Sequence, residues 1–367
     1  MKLNDNEVRV LEILKLDPYV SQQYIADQLL LSRPAVANLI SGLQEKGFIL
    51  GKPYMLKQEE YITCVGGANL DHSFQLESKM ILKTSNPVKS TTSFGGVIRN
   101  VAENLARLNH KVSLMTIVGD DNSGNDLLSH ASKYMEIFAS DKKVGFNTGG
   151  YYSIMNHEGE MDIGYADMSI YDQMDRSWII EHKKHLSLSS WIITDMNVDK
   201  DGIEALIEFA NNEEKKLAVI GVSGPKMKHL PKDLYGVEIL ICNLDEAQSY
   251  FESNHDDLST YAKLFLDKGV KNIVITQGVN GSLYANEKSI EHRRAMMIDR
   301  NLVVDVTGAG DAFSGAVLHG LIHGESLDIC VSYGIVSSSL TIQSKHSVNS
   351  KLSMNLIKKE LKKYENL

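Results

Sequence analysis

Cysteine is scarce in this sequence, with three residues in 367. Cys64, Cys242 and Cys330 are far apart and set in apolar runs, which suits reduced core thiols and excludes a disulfide or zinc framework. No uninterrupted apolar run reaches the roughly 18 residues of a membrane span, and Met1 to Asn6 lacks the basic-then-apolar pattern of a secretory leader. The expected compartment is the cytoplasm, with no membrane partner. Also missing are a Gly-x-x-x-x-Gly-Lys-Ser/Thr loop, a His-Glu-x-x-His helix and a Cys-x-x-Cys pair, which leaves P-loop nucleotide binding, zinc hydrolysis and dithiol redox chemistry without support. His110, His157, His255 and His346 stand alone along the chain, as packing or surface residues do. Basic charge is short as well: 38 Lys and Arg against 47 Asp and Glu give a net charge of −9. That balance excludes a chain that coats nucleic acid or anionic membrane along its whole length, while leaving room for a local DNA site.

What is present divides into two. An apolar content of 43% in a chain of this length supplies one large α/β domain plus something small. In the first part, residues 1–58, Val8, Leu11 and Leu14 fall on one helical face, and Tyr24, Ile25 and Leu29 mark a second helix begun by Ser21. Ser32 is predicted to cap a third helix, with Pro34 in its first turn and Val36, Ile40 and Leu43 turned inward. Gly47 ends it, and Phe48 to Leu56, with Gly51-Lys52-Pro53 in the middle, has the pattern of a two-stranded wing. The whole resembles the winged helix-turn-helix of bacterial regulators. That resemblance turns Ser32, Arg33, Ala35, Asn38 and Ser41 towards the major groove and brings Lys52 near phosphate. Basic residues barely outnumber acidic ones here, so operator DNA would require a dimer; the alternative is a helical packing module.

After the polar joint Lys57-Gln58-Glu59-Glu60 the period changes. Tyr61 to Val65 has a strand pattern ending in Gly66-Gly67-Ala68-Asn69-Leu70-Asp71, which puts a carboxylate at a strand's C-terminal edge, where open α/β sheets bind ligands. Gly95-Gly96 then opens a helix bearing Asn100, whose amide suits a vicinal diol or serves as a local cap. Lys111 to Val118 is predicted to be a strand, and residues 151–155 and 161–165 flank the turn Asn156-His157-Glu158-Gly159 as a hairpin. Apolar runs at Trp191–Thr194, Leu217–Ile220, Ile239–Cys242 and Ile273–Thr276 alternate with helical stretches, the pattern of a parallel sheet covered on both faces. Their carboxyl ends carry Asp195 and Asn197, Ser223 and Lys226, Asn243 and Glu246, and Gln277-Gly278, so polar groups collect on one rim. Last, Val303-Val304-Asp305-Val306-Thr307-Gly308-Ala309-Gly310-Asp311-Ala312-Phe313 is expected to form a strand, a glycine turn and an amphipathic helix marked by Phe313, Val317 and Leu321. Glycine N–H groups at such a helix start suit a phosphate, and Asp311 is placed to accept a proton beside it.

The glycine pair, the Asn-x-x-Glu run and Asp-Val-Thr-Gly-Ala-Gly-Asp together resemble the ribokinase-like sugar kinases, the PfkB family, over residues 59–367. The resemblance implies a three-layer α/β/α sandwich with a small β lid near 72–92 and 151–165, and ATP-dependent phosphorylation of a sugar or nucleoside hydroxyl. It implies Asp311 as the base and Gly308, Ala309 and Gly310 as the anion hole. It assigns Asn69, Asp71, Gly95, Gly96, Asn100, Asp167 and Lys226 to the substrate, and Asn243, Thr276, Gln277, Gly278, Gly281 and Thr307 to the nucleotide. Glu246 and Asn243 would serve Mg²⁺, and Asp305 a monovalent cation such as K⁺. Within the family, residues 84–87, 95–105 and 166–168 look most like pseudouridine kinases, which act on the 5′-hydroxyl. One departure stands out: where the family has Asp-Pro-Val-Ser before a lysine, this chain has Ile220-Gly221-Val222-Ser223-Gly224-Pro225-Lys226. The alternatives are a kinase for another nucleoside or ribose, or a ligand-sensing transcription regulator with a kinase-like domain. Relatives imply a homodimer, in which lid closure over nucleoside would alter DNA affinity.

Overall fold

A computed structural model describes residues 3–16, 20–49, 61–255 and 257–364. The chain forms two compact units, Met1–Glu60 and Tyr61–Leu367. The expected boundary after residue 58, the joint 57–60 and most of the wing, with Lys52, lie outside the described residues.

The first unit holds α1 (Asp5–Leu16), α2 (Gln22–Leu29) and α3 (Arg33–Glu45). Ser21 Oγ accepts from Tyr24 N at 3.1 Å and Ser32 Oγ from Ala35 N at 3.3 Å, so both predicted caps form. Val10, Leu14, Ile25, Leu29, Val36, Ile40 and Leu43 make the core. The inward face of α1 is shifted from the predicted one: Val8 is 40% exposed, while Glu7 is buried. Glu7 is accommodated because Lys46 Nζ donates to it at 2.7 Å and Asn4 N at 2.9 Å, and the ammonium holds its carboxyl below the usual range. Ser32, Arg33, Asn38 and Ser41 of α3 are exposed.

The second unit runs β1 (Tyr61–Val65), β2 (Asn69–Leu76), β3 (Val88–Gly95), α4 (Val97–Arg107), β4 (Val112–Met115), β5 (Ile117–Gly119), α5 (Asn122–Ala131), β6 (Asp141–Lys143), β7 (Gly150–Met155), β8 (Met161–Asp167), α6 (Arg176–Glu181) and α7 (Lys183–Leu186). It continues with β9 (Ser189–Asp195), α8 (Lys200–Asn212), β10 (Lys216–Ile220), β11 (Val237–Asn243), α9 (Leu244–Phe251), α10 (Leu258–Asp267), β12 (Asn272–Thr276), β13 (Ser282–Asn286), β14 (Ile290–Arg293), α11 (Ala309–Ile322), α12 (Leu327–Thr341) and α13 (Met354–Tyr364). The main sheet has the order β14-β13-β12-β11-β10-β9-β1-β4. From β4 to β12 its strands are parallel, as the apolar runs predict, and β13 and β14 add an antiparallel edge. Adjacent residues on one strand serve different cores: Ile192 belongs to the core that includes residues of α6, α8 and α10, and Ile193 to the one that includes residues of α4, α11 and α12. Burying each such side chain contributes about 1.5–3 kcal/mol, which is why strands covered on both faces are apolar throughout.

Three expectations fail here. Val303 to Val306 is no strand: Val304 N and Asp305 N both bond to Ile342 O, and Val304 and Val306 are 53% and 69% exposed. Helix α11 is not amphipathic. Every residue from Ala312 to Gly320 is buried, and Gly315 lets it approach α4 so closely that an added Cβ would lie 2.9 Å from Asn104 Cβ. The predicted strand 111–118 breaks at Thr116, its second half pairing with β6 in a separate two-stranded sheet. A further four-stranded sheet, β3-β2-β7-β8, contains the predicted hairpin, and its strands take in parts of the two segments 72–92 and 151–165.

Candidate active site

The parallel strands end on one rim, and a buried carboxylate ties that rim together. Asp195, at the end of β9, accepts from Asn197 N at 2.9 Å, Asn197 Nδ2 at 3.0 Å, Ile98 N at 3.2 Å and Gly67 N at 3.3 Å. Burial pushes its carboxyl up to about 6 against those hydrogen bonds. The glycines around it are there for close approach within the protein. A Cβ on Gly66 would lie 2.3 Å from Asp195 Oδ1, one on Gly67 2.4 Å from Asn197 Nδ2, and one on Gly96 2.4 Å from Gly67 O. Gly95 likewise makes room for Asp71, whose Oδ2 would be 2.2 Å from its Cβ.

That knot starts α4 at Gly96, whose φ is 96°. One turn on, Asn100 Nδ2 donates to Asp311 Oδ2 at 2.6 Å, and the Arg99 guanidinium donates to Asn100 Oδ1. Asn100 is thus no helix cap. Arg99 is 2% exposed and donates to Glu103 at 2.7 Å, and Arg107 grips the other oxygen of Glu103 at 2.7 Å. Sequence reasoning missed Arg99; its signal was the i, i+4 spacing of Arg99, Glu103 and Arg107.

Asp311 lies in the first turn of α11. Burial pushes its carboxyl up to about 7, opposed by the Asn100 hydrogen bond and the Arg99 charge and reinforced by Asp195 and Asp71. Gly308 precedes the helix at φ 79°, and a Cβ there would strike Ser347 O at 2.1 Å. No described side chain caps this helix start. Ala309 N is taken by Val306 O at 3.3 Å, so Gly308, Gly310 and Asp311 are the N–H groups at this helix start left without a backbone acceptor. Gly310 has no need of a special φ; it is exposed with nothing within 4 Å of an added Cβ. An anion with an attached hydroxyl compound can therefore reach the positive end of a buried helix beside a carboxylate that titrates near neutrality.

Along the rim, Asn243 and Glu246 form a capping box: Asn243 Oδ1 accepts from Glu246 N at 2.8 Å and Glu246 Oε2 from Asn243 N at 2.9 Å. Glu246 is 4% exposed, and burial raises its carboxyl. Asn243 pairs in register with Thr276 of β12. Gln277 N bonds to Gly281 O at 2.8 Å, and Gly278 has open space around it. Asn69 Nδ2 donates to Asp71 Oδ1 at 2.7 Å. The remaining expected residues are held by local contacts: Asp167 is exposed and accepts from Ser169 Oγ at 3.2 Å, Lys226 sits in a 3-10 turn, and Asp305 accepts from Thr307 N at 2.8 Å.

Residues 59–353 match the family model of the pfkB family carbohydrate kinases. The chain belongs to this family. Residues 3–49 match the winged helix-turn-helix DNA-binding model. The chain is similar to the "Uncharacterized sugar kinase YeiI" of Escherichia coli, 26% identical over 92% of this chain and 94% of that protein. It is also similar to the pseudouridine kinase of E. coli, 27% identical over 82% of this chain and 96% of the relative. Among solved structures, a carbohydrate kinase from Agrobacterium tumefaciens superposes with a TM-score of 0.73 at 25% identity, covering 83% of this chain and 97% of that one. In this pfkB family kinase, then, Gly308 to Asp311 and Asn243 to Glu246 stand at the ends of elements whose local geometry is fixed by steric closeness and capping.

Proposed function

We propose that this kinase phosphorylates the 5′-hydroxyl of a nucleoside, pseudouridine first, using ATP and Mg²⁺. The observation that carries this reading is Asp311, raised to about 7 and oriented by Asn100 at the uncapped start of α11. Asp311 takes the hydroxyl proton; the oxygen attacks the γ-phosphorus of ATP, and the bond to the bridging β–γ oxygen breaks to release ADP. Charge on the transferring group meets the N–H groups of Gly310 and Asp311 and the helix end. Asn69 and Asp71 orient the sugar, while Thr276 to Gly281 form the nucleotide edge. Gly95, Gly96, Asn100, Lys226 and Asp167 are the remaining substrate contacts in this reading.

The donor set at Asn243 and Glu246 fits Mg²⁺ held through water, because one oxygen of the Glu246 carboxylate is engaged by Asn243 N. When bound, Mg²⁺ neutralises phosphate charge. Asp305 is exposed and is the residue proposed for K⁺. Pseudouridine is favoured by the 27% identical relative of that name, whose length the match spans almost entirely. The test is a kinase panel of pseudouridine, uridine, inosine, adenosine, ribose and fructose. Pseudouridine should have the highest kcat/KM; preference for ribose or another nucleoside would overturn the substrate assignment while keeping the chemistry.

A second reading rests on the match of residues 3–49 and the exposed Ser32, Arg33 and Asn38: the first unit binds operator DNA as a dimer, and nucleoside tunes that affinity. Anisotropy titration of the upstream DNA at fixed salt, with and without nucleoside, tests it. Binding no tighter than to random DNA would reduce this unit to a packing module. Specific binding with no turnover of any panel compound would make the chain a ligand-sensing regulator.

A further inference from the structure

His110, taken from sequence as solitary, is not. Its Nε2 lies 2.8 Å from His319 Nδ1, and one nitrogen from each of His110, His319 and His323 falls within 4.8 Å of the others. His319 and His323 are four apart at the end of α11 and so share one face. His110 is brought to them by the turn after α4, where His110 N bonds to Leu105 O at 3.1 Å. We propose that these three imidazoles form a site for a nitrogen-preferring divalent ion of the Zn²⁺ class, distinct from the Mg²⁺ of phosphoryl transfer.

Zinc–nitrogen bonds of about 2.0–2.1 Å in a tetrahedron set nitrogens about 3.4 Å apart, so the His110–His319 pair need open by only about half an ångström. The donor of that pair shifts its proton to its other ring nitrogen as the ion enters. His323 Nδ1 donates to His319 O at 2.9 Å, which fixes its tautomer and leaves Nε2 with a lone pair. Imidazole ligands are commonly oriented by such a bond to a carbonyl. The partial negative charge at the C-terminal end of α11 also favours a cation. A cavity of about 330 Å³ adjoins the three rings, with Glu325 and Lys358 on its wall, and leaves room for water as the fourth ligand. Of these charged neighbours Glu325 assists the ion and Lys358 opposes it. His319 lies eight helical positions after Asp311, roughly 12 Å along the axis, so the ion would brace the far end of the two helices that carry Asn100 and Asp311.

The test uses the full chain without a histidine tag, stripped with chelator and titrated with CoCl₂, following visible absorption and bound metal. One Co²⁺ per chain should bind with the spectrum of a four-coordinate nitrogen site, yield to Zn²⁺, and persist in excess Mg²⁺. His323→Gln changes an exposed side chain, and a melt without metal checks that the fold survives. It should weaken binding by more than the roughly 100-fold lost when a group that merely supports a ligand is removed. Lys358→Met should tighten binding. Absence of stoichiometric cobalt, or uptake unchanged in both His323→Gln and His110→Gln, would overturn the site.

Discussion

Asp195 and Asp311 are carboxylates on the same rim, and both are raised by burial, to about 6 and about 7. They differ in what surrounds them. Asp195 receives four hydrogen-bond donors and is wholly buried, with glycines at 66 and 67 packed so tightly that no side chain fits. Asp311 receives the Asn100 amide and stands beside Gly310, where nothing lies within 4 Å of an added Cβ. A carboxylate saturated by donors holds a fold, whereas one with a single side-chain donor at an uncapped helix start is the better candidate for chemistry.

The sharpest way to break this contrast is Asp311→Asn, which keeps the shape but accepts no proton. Steady-state assays should show kcat lower by about 10²-fold or more. Stability should move the other way. Because the folded chain binds more protons than the unfolded one between the ordinary aspartate value of 3.8 and about 7, Asp311 makes the protein less stable as pH rises through that window. The Asn variant lacks this contribution, so it should melt higher than the wild type at pH 8 and no higher at pH 3. Asp195→Ala should do the reverse of Asp311→Asn. Stranding three backbone N–H groups and the Asn197 amide, it should cost at least about 3 kcal/mol in urea unfolding.

Gly310→Ala sharpens the comparison at the helix start. Its fold should be unchanged or up to about 1 kcal/mol more stable, as for a glycine removed from a helix, by thermal unfolding. Its kcat should fall about 10–100-fold as the methyl group displaces the anion. Gly308→Ala, by contrast, meets Ser347 O and should destabilise, by at least about 1–3 kcal/mol. The smallest effect concerns the other unit: Arg33→Ala should lower the salt slope of DNA binding by about 1 and leave kinase rates intact.

Much of this architecture was legible because burial leaves a mark on composition. The four apolar runs became β9 to β12, since strands covered on both faces admit little else. Ser21 and Ser32 were legible as caps because capping acts over three residues, whereas the capping box of Asn243 and Glu246 went unread behind their polar-rim pattern. Val303 to Val306 misled for the opposite reason: β-branched residues favour a strand only where a partner strand exists, and here both amides go to one carbonyl of residue 342. The Gly66–Gly67 and Gly95–Gly96 pairs were legible as close-approach positions, but the partners Asp195 and Asp71 that they make room for are a tertiary fact. His110 and His319 stand 209 positions apart, so only the fold joins them, although the i, i+4 pair at 319 and 323 was visible in the sequence.

The most direct measurement of the central claim is the pH dependence of kcat/KM for the substrate turned over fastest in the panel. With Asp311 as the proton acceptor, activity should fall tenfold per pH unit below about 7 and level off above it, and Asp311→Asn should lie about 10²-fold or more below the plateau without that acid limb. An Asp311→Asn enzyme that kept near-normal turnover and the same acid limb would contradict the assignment.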